Sequence, residues 1–212
     1  MNYLMVLKSL GTLLICESIA MIPSLAVALA DGGRDAGAFA LTIAMTLLLG
    51  ICGHFIKPKN KNIYAKDGFA IVALGWLMIS FFAALPFWLS GAIPSFIDSF
   101  FEASSGLTTT GATILTEVES LSKGILFWRS FTHWIGGMGV LVLTLAILPL
   151  TGIGSDQIMK AESPGPTPGK LVPKLRETAK ILYGIYLGIT ILQIVLLMLG
   201  GMSLYDSMIN TF

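Results

Sequence analysis

Charged residues are scarce in this sequence. They make up 12% of its 212 residues, whereas hydrophobic residues make up 55%, and a soluble domain usually carries about twice that share of charge. The formal net charge is only +1, so the chain has no overall positive field to attract nucleic acid. The composition therefore excludes an ordinary soluble domain, argues against a nucleic-acid-binding protein and predicts a membrane protein.

Cysteine is nearly absent as well. Cys16 and Cys52 are the only two cysteines, and they lie in separate apolar runs. Such a pair gives neither a disulfide framework nor a metal cluster, so we expect two buried apolar thiols. The sequence also lacks a Gly-x-Ser-x-Gly elbow, a His-Glu-x-x-His pair and a nucleotide-binding loop, which removes the commonest sequence signs of an enzyme.

Long apolar stretches are abundant, and they predict an all-α integral membrane protein. About 20 residues are needed to cross a bilayer as a helix. Stretches of this length cover residues 4–30, 36–56, 69–90, 125–150 and 179–200. Because no small-residue cleavage site follows the first stretch and further spans come after it, we expect it to be retained rather than removed as a signal peptide.

Charge divides the connections between these spans into two kinds. The second and fourth connections are rich in cations, namely Lys57, Lys59, Lys61, Lys66, Lys160, Lys170, Lys174, Arg176 and Lys180. The third connection holds mainly acids, namely Asp98, Glu102, Glu117 and Glu119, with Lys123. Because Lys and Arg favour the cytoplasmic side, we expect the N-terminus and both basic connections inside and residues 91–124 outside.

The outward segment, residues 91–124, is too apolar for an ordinary loop and too short for two more spans. Residues 94–106 predict a short helix that Ser95 caps, with Asp98 in its first turn and Gly106 as its stop. About ten helical residues reach only about 15 Å. We therefore expect a half-helix that enters the membrane and does not cross it.

Residues 108–113, Thr-Thr-Thr-Gly-Ala-Thr, follow this half-helix. Gly111 can adopt backbone angles that are closed to other residues, and irregular backbone at membrane depth is tolerated only in protein or along a wet path. Carbonyl oxygens in such a path replace the hydration shell of an alkali cation. The segment predicts one wall of a cation filter; the alternative is a threonine-rich external turn with no ion role.

Part of this unit recurs later in the chain. Asp98-Ser99 follows the third span, and Asp206-Ser207 follows the fifth at the corresponding place. One filter strand cannot encircle an ion, so either several copies assemble or, as we favour, more polypeptide follows. We expect two leading transmembrane helices in residues 1–66, a first pore repeat in 67–150, a cytoplasmic loop in 151–178 and the truncated start of a second pore repeat in 179–212.

Two runs of residues carry a family resemblance. They are Glu-Ala-Ser-Ser-Gly-Leu-Thr-Thr-Thr-Gly-Ala-Thr at 102–113 and Phe-Trp-Arg-Ser-Phe-Thr-His-Trp-Ile-Gly-Gly-Met-Gly at 127–139. Together they closely resemble the first pore repeat of bacterial Trk-type potassium uptake proteins, which belong to the Trk/Ktr/HKT superfamily. The resemblance covers the whole chain, which would be the N-terminal portion of a family member, a little under half of its length.

The resemblance implies a potassium-channel-like architecture of four span–half-helix–span units around one path. It implies that the backbone carbonyls of Thr109, Thr110, Gly111 and Ala112 bind potassium, and glycine rather than serine at position 111 favours potassium over sodium. It also implies a bacterial cytoplasmic membrane, a homodimer, a cytoplasmic nucleotide-binding regulatory subunit and no organic cofactor. Uptake would be driven by the membrane potential, and coupling to protons or sodium stays open.

Four side chains are candidates for supporting the filter, namely Thr108, Thr113, Glu102 and Arg129. Arg129 lies near the outer end of the fourth span, a costly place for a charge unless it is paired or reaches the interface. It could pair with Glu102 or Glu117, tether the half-helix, or serve as an interfacial anchor beside Trp128. The sequence leaves these roles open.

Two further ionisable residues, Glu17 and His133, and one alternative function also need to be weighed. Glu17 lies in the middle of the first span, where packing or hydrogen bonding is favoured over ion transport. His133 precedes a glycine-rich run, where hydrogen bonding inside the bundle is favoured over pH sensing. The rival function is a membrane-embedded enzyme that uses Asp98, Glu102 and His133, but acids without a matching base are weak grounds for catalysis.

Overall fold

The computed structural model describes residues 2–58, 65–139 and 175–212, and in these ranges the protein contains helices and no strands. In chain order the helices are α1 (Tyr3–Ala20), α2 (Ile22–Ala30), α3 (Ala36–His54), α4 (Ala65–Leu89), α5 (Phe96–Leu107), α6 (Lys123–Gly137), α7 (Leu175–Leu199) and α8 (Leu204–Thr211). The predicted all-α class is confirmed.

Four stretches of helix in the described ranges are long and apolar enough to cross a membrane. They are Tyr3–Ala30, Ala36–His54, Lys66–Leu89 and Lys180–Leu199. These correspond to the first, second, third and fifth predicted spans. The fourth predicted span begins in α6, but its remainder lies outside the described residues. Residues 59–64 and 140–174 are also outside them, together with Lys59, Lys61, Lys160, Lys170 and Lys174 of the two basic connections.

The first span, Tyr3–Ala30, consists of two successive helical segments. Met21 separates α1 from α2 and keeps right-handed helical angles, φ −76° and ψ −17°. Pro23, in the first turn of α2, has no N–H to donate to the carbonyl of Ile19 four residues earlier. The helical hydrogen-bond ladder is therefore interrupted at this point, and the chain continues in helical conformation.

Glycines bring α1 and α3 into backbone contact. A Cβ atom on Gly11 would lie 2.7 Å from the backbone of Gly53, and one on Gly50 would lie 2.9 Å from the carbonyl oxygen of Gly11. Small residues permit such close crossings in membrane helices. Gly75 of α4 also faces α1, because a Cβ atom on Gly75 would lie 3.1 Å from the side chain of Leu13. Helix α1 therefore packs directly against α4.

Two single-residue predictions in the leading helices have different outcomes. Cys16 is half-buried, but Cys52 is exposed, so the predicted burial of Cys52 is wrong. The reason is that α3 turns Thr42, Thr46 and Gly50 toward the bundle and leaves its other side uncovered. Glu17 is 6% exposed, and neither of its carboxylate oxygens has a hydrogen-bond partner among the described residues. Its enclosure favours the packing role.

The half-helix α5 is held between α4 and α6. Its Ala103 and Leu107 side chains are buried in the same apolar core as Phe87 of α4 and Trp128 of α6. Trp128 also donates its indole N–H to the carbonyl of Ala83 at 2.9 Å, which satisfies the polar atom of a fully buried aromatic side chain. Helix α5 is thus held in place by α4 and α6, and it fixes the start of the segment that follows it.

Candidate ion-selectivity site

The half-helix begins as the sequence predicts and ends differently. Ser95 is its N-cap and accepts a hydrogen bond from the backbone N–H of Asp98 at 3.4 Å. Gly106, expected to stop the helix, lies inside α5, which continues to Leu107. A Cβ atom at position 106 would collide with the hydroxyl of Thr132 on α6. The glycine therefore serves helix packing rather than termination.

The backbone of residues 108–113 twice adopts left-handed angles. Gly111 has φ +73°, as predicted, and Thr109 has φ +56°, which is the only positive φ of a non-glycine residue in the described ranges. Such a conformation costs of order 1–3 kcal/mol and persists where the surroundings impose it, often at ligand-binding sites. The sequence contains no signal for the conformation of Thr109, because threonine ordinarily avoids it.

Hydrogen bonds to the last turn of α5 fix the start of this segment. The N–H of Thr109 donates to the carbonyl of Gly106 and the N–H of Thr110 to that of Ser105, both at 2.9 Å. The hydroxyls of Thr108 and Thr110 share a hydrogen bond of 2.8 Å. The amide groups are therefore directed back to the half-helix.

The carbonyl oxygens of residues 109–112 differ from the amide groups. Among the described residues no hydrogen-bond donor reaches the carbonyls of Thr109, Thr110, Gly111 or Ala112, and all four residues are exposed. These carbonyls follow the C-terminal end of α5, where the helix dipole places partial negative charge. Free oxygens in that field are suited to an unhydrated cation.

Glu102 anchors the far end of the segment. Its carboxylate oxygens lie 2.9 and 3.0 Å from the hydroxyl of Thr113, and one of them accepts the backbone N–H of Ile114 at 3.2 Å. The other lies 2.6 Å from Nε of Arg129 on α6. The sequence left Glu102 and Glu117 open as partners of Arg129, and in the structure Arg129 pairs with Glu102. Through these contacts Glu102 connects α5 to residues 113–114 and to α6.

This ion pair is enclosed. The side chain of Glu102 is 1% exposed and that of Arg129 is 15% exposed. A buried pair of this kind is sustained by good geometry and additional hydrogen bonds, which Thr113 and Ile114 supply here. The sequence did not predict the supporting role of the Ile114 backbone amide, because every residue except proline has such an amide and the residue type gives no signal.

His133 and Gly136 complete the side of the site formed by α6. His133 Nδ1 is hydrogen-bonded to the carbonyl oxygen of Arg129, four residues earlier on α6, at 3.0 Å. A Cβ atom at Gly136 would lie 2.7 Å from the carbonyl carbon of Leu107. The glycine thus allows α6 to touch the end of the half-helix, as the glycine-rich run predicts.

The groups proposed for the rival enzyme do not form a reaction centre. Glu102 is committed to Thr113, Ile114 and Arg129, and His133 is bound to a backbone carbonyl. Asp98 lies a helical turn away from Glu102, in the first turn of α5. In the part of the chain that the structure describes, no group of three His, Cys, Asp or Glu residues could hold a metal ion.

The second copy of the unit repeats the local geometry of the first. Ser203 caps α8 and accepts from the N–H of Asp206 at 3.1 Å, as Ser95 does for Asp98. A glycine with positive φ also lies between each half-helix and the long helix before it. These glycines are Gly91, with φ +74°, and Gly201, with φ +95°. The partial repeat seen in the sequence therefore extends to capping and linker conformation.

Substitution of Gly136 by alanine tests the contact between α6 and the half-helix. We expect Gly136→Ala to lower the midpoint of thermal unfolding by several degrees, because overpacking costs about 1–3 kcal/mol. The matched control is Gly37→Ala, since Gly37 is also helical and has no atom within 4 Å of a would-be Cβ. Equal unfolding temperatures for the two purified full-length variants would contradict the contact.

The chain is similar to a known family of membrane transport proteins. The chain matches the family TrkH, described as cation transport protein, over residues 36–209. The chain belongs to the TrkH cation transport protein family. The Trk system potassium uptake protein TrkH of Halomonas elongata is 38% identical to it over 217 residues, covering 100% of this chain and 45% of the relative. The protein of the same name in Escherichia coli strain K12 is 39% identical over 215 residues, covering 100% and 44%.

A solved structure of the TrkH family agrees with the fold. The crystal structure of the potassium transporter TrkH from Vibrio parahaemolyticus superposes with a TM-score of 0.79 at 36% sequence identity. The match covers 100% of this chain and 42% of the crystallised chain. The chain thus spans under half the length of the TrkH proteins it matches.

Proposed function

We propose that the full-length protein takes up potassium ions across the bacterial cytoplasmic membrane and that residues 109–112 form one wall of its selectivity filter. One observation carries the proposal. The carbonyls of Thr109, Thr110, Gly111 and Ala112 accept no hydrogen bond among the described residues and follow the end of a buried half-helix. The names of the relatives, potassium uptake protein and potassium transporter, support the choice of cation.

Selection in this proposal depends on replacing water around the ion. A cation sheds its hydration shell only where oxygens of suitable number and field strength take its place. The end of α5 adds negative potential, while Arg129 neutralises Glu102 beside the filter, so that carboxylate holds the backbone without trapping the ion. Glu117 and Glu119, both exposed, raise the cation concentration at the outer mouth.

The wider assembly follows from the same proposal. Residues 67–150 are the first pore repeat and residues 179–212 the start of a second, with the leading helices in 1–66 and a cytoplasmic loop in 151–178. A single strand encloses no ion, so the remaining repeats of the full-length protein complete the path. The protein is a transporter and not an enzyme; it works as a homodimer under a cytoplasmic nucleotide-binding subunit, needs no organic cofactor and is driven by the membrane potential.

Uptake by the full-length protein tests this function. The complete gene is expressed in a bacterial strain that lacks its own potassium uptake systems, and growth and potassium influx are measured at low external potassium. We expect growth to be restored and influx to collapse when the membrane potential is dissipated. The proposed function is wrong if the protein is present in the membrane and neither growth nor influx rises above that of the empty strain.

A further inference from the structure

The outer ends of three helices meet at one residue. Lys123 is the first residue of α6, Asp31 directly follows α2, and Tyr205 lies in the first turn of α8. The backbone N–H of Lys123 donates to Asp31 Oδ2 at 3.3 Å, and the hydroxyl of Tyr205 donates to the carbonyl of Lys123 at 2.8 Å. We call these three residues the outer clamp.

Asp31 supplies the N-terminal cap that α6 lacks locally. Ser122 occupies the cap position of α6 but forms no side-chain cap hydrogen bond. The carboxylate of Asp31, 92 residues away in sequence, accepts the first amide of the helix instead, where the helix dipole favours negative charge. The ion pair between Asp31 and the Lys123 ammonium is largely exposed, at 32% and 62%, and such pairs contribute little.

Tyr205 connects this point to the second repeat. Burial, and then the carboxylates of Asp31 and Asp206, raise the pKa of Tyr205 to about 12. Its hydroxyl therefore stays protonated and remains a donor throughout the physiological pH range. The bond crosses from α8, in the second repeat, to α6, in the first, and it joins residues 82 apart in sequence.

The other end of α8 is fixed against the same helix. The ring of Phe212, which directly follows α8, lies with its centroid 5.6 Å from that of Phe127, 5.4 Å from that of Phe131 and 5.8 Å from that of Trp134. Aromatic rings at these distances attract one another beyond their apolar burial. With Tyr205 at its start and Phe212 after its end, α8 has little freedom to slide along α6.

We propose that Tyr205 is a positioning residue for ion selectivity, because its bond to Lys123 sets the height of the second half-helix against the first repeat. This inference rests on the proposed function. In the proposed function a second filter strand belongs to the same repeat as α8, and the height of α8 would set where that strand faces residues 109–112. Selectivity is sensitive to the number and spacing of the coordinating oxygens, so a half-helix free to shift would hold smaller and larger cations with less discrimination.

The test removes one hydroxyl and keeps the ring. Tyr205→Phe is compared with wild type in the full-length protein by measuring potassium influx with and without competing sodium. We expect the potassium-to-sodium selectivity ratio to fall about fivefold, since one intramolecular hydrogen bond shifts an equilibrium by about that factor. Tyr183→Phe is the matched control, because Tyr183 also contacts α6 through the Trp134 ring and its hydroxyl forms no hydrogen bond among the described residues.

The selectivity ratio separates positioning from general loss of protein. A purely structural defect lowers the influx of both cations together and leaves the ratio unchanged, and an immunoblot of the membrane fraction reports the amount. A wild-type ratio in Tyr205→Phe overturns the inference even if total influx is lower. If wild type itself carries no potassium, the proposed function fails instead, and the two failures are distinguishable.

Discussion

Replacement of Gly111 by serine is expected to reduce the potassium-to-sodium selectivity of the full-length protein by at least about tenfold. Gly111 has φ +73°, and an L-residue held in left-handed conformation costs about 1–2 kcal/mol. The segment can relieve that cost by turning the peptide groups on either side of residue 111, which moves carbonyls proposed to bind the ion. Influx of potassium in the presence of sodium measures the effect.

The control for this prediction is a serine substitution at Gly91, another glycine with positive φ. Gly91 has φ +74°, and neither it nor Gly111 has an atom within 4 Å of a would-be Cβ. Gly91→Ser therefore adds the same strain in the linker between α4 and α5. We expect it to leave selectivity unchanged. Wild-type uptake and selectivity in Gly111→Ser, or an equal loss in both variants, would show that residues 109–112 are not the filter.

Removal of the Glu102 carboxylate is expected to destabilise the site strongly. Glu102→Ala leaves the guanidinium of Arg129, 15% exposed, without its counter-charge. Breaking a buried pair in this way costs about 3–5 kcal/mol. It also releases the hydroxyl of Thr113 and the amide of Ile114. We expect a lower unfolding midpoint for the purified protein and loss of selective uptake in cells.

Glu117 provides the control, since it is the other acid that the sequence offers to Arg129 and it is exposed in the connection between α5 and α6. Glu117→Ala should unfold at the wild-type temperature. The double variant Glu102→Ala/Arg129→Ala should be less destabilised than the sum of its single changes, because it leaves no unpaired charge. Full additivity, or a Glu102→Ala variant as stable as Glu117→Ala, would contradict the anchoring role.

Several features of the fold were predictable because their causes are local. The described spans follow from runs of apolar residues, which any helix long enough to cross a bilayer must contain. The start of α5 follows from Ser95 and Asp98, three residues apart, since capping acts within one turn. The left-handed Gly111 follows from the freedom of glycine. Each of these signals needs only the neighbouring residues along the chain.

Other features were not predictable, because they depend on which helices touch. The sequence predicted a helix end at Gly106. In the structure α5 continues to Leu107, and Gly106 packs against Thr132 on α6. Burial of Cys52 was wrong for the same reason, since hydropathy does not tell which face of a membrane helix meets protein and which meets lipid.

The sequence by itself determined that this is a helical membrane protein, and its motifs indicated a half-helix followed by a threonine-rich strand with one glycine. Only the tertiary structure decided how that strand is held. It paired Arg129 with Glu102, 27 residues away, and not with Glu117, and it imposed a left-handed conformation on Thr109. The physical reason is that hydropathy and capping act along the chain, whereas ion pairing and backbone strain are set by packing between helices.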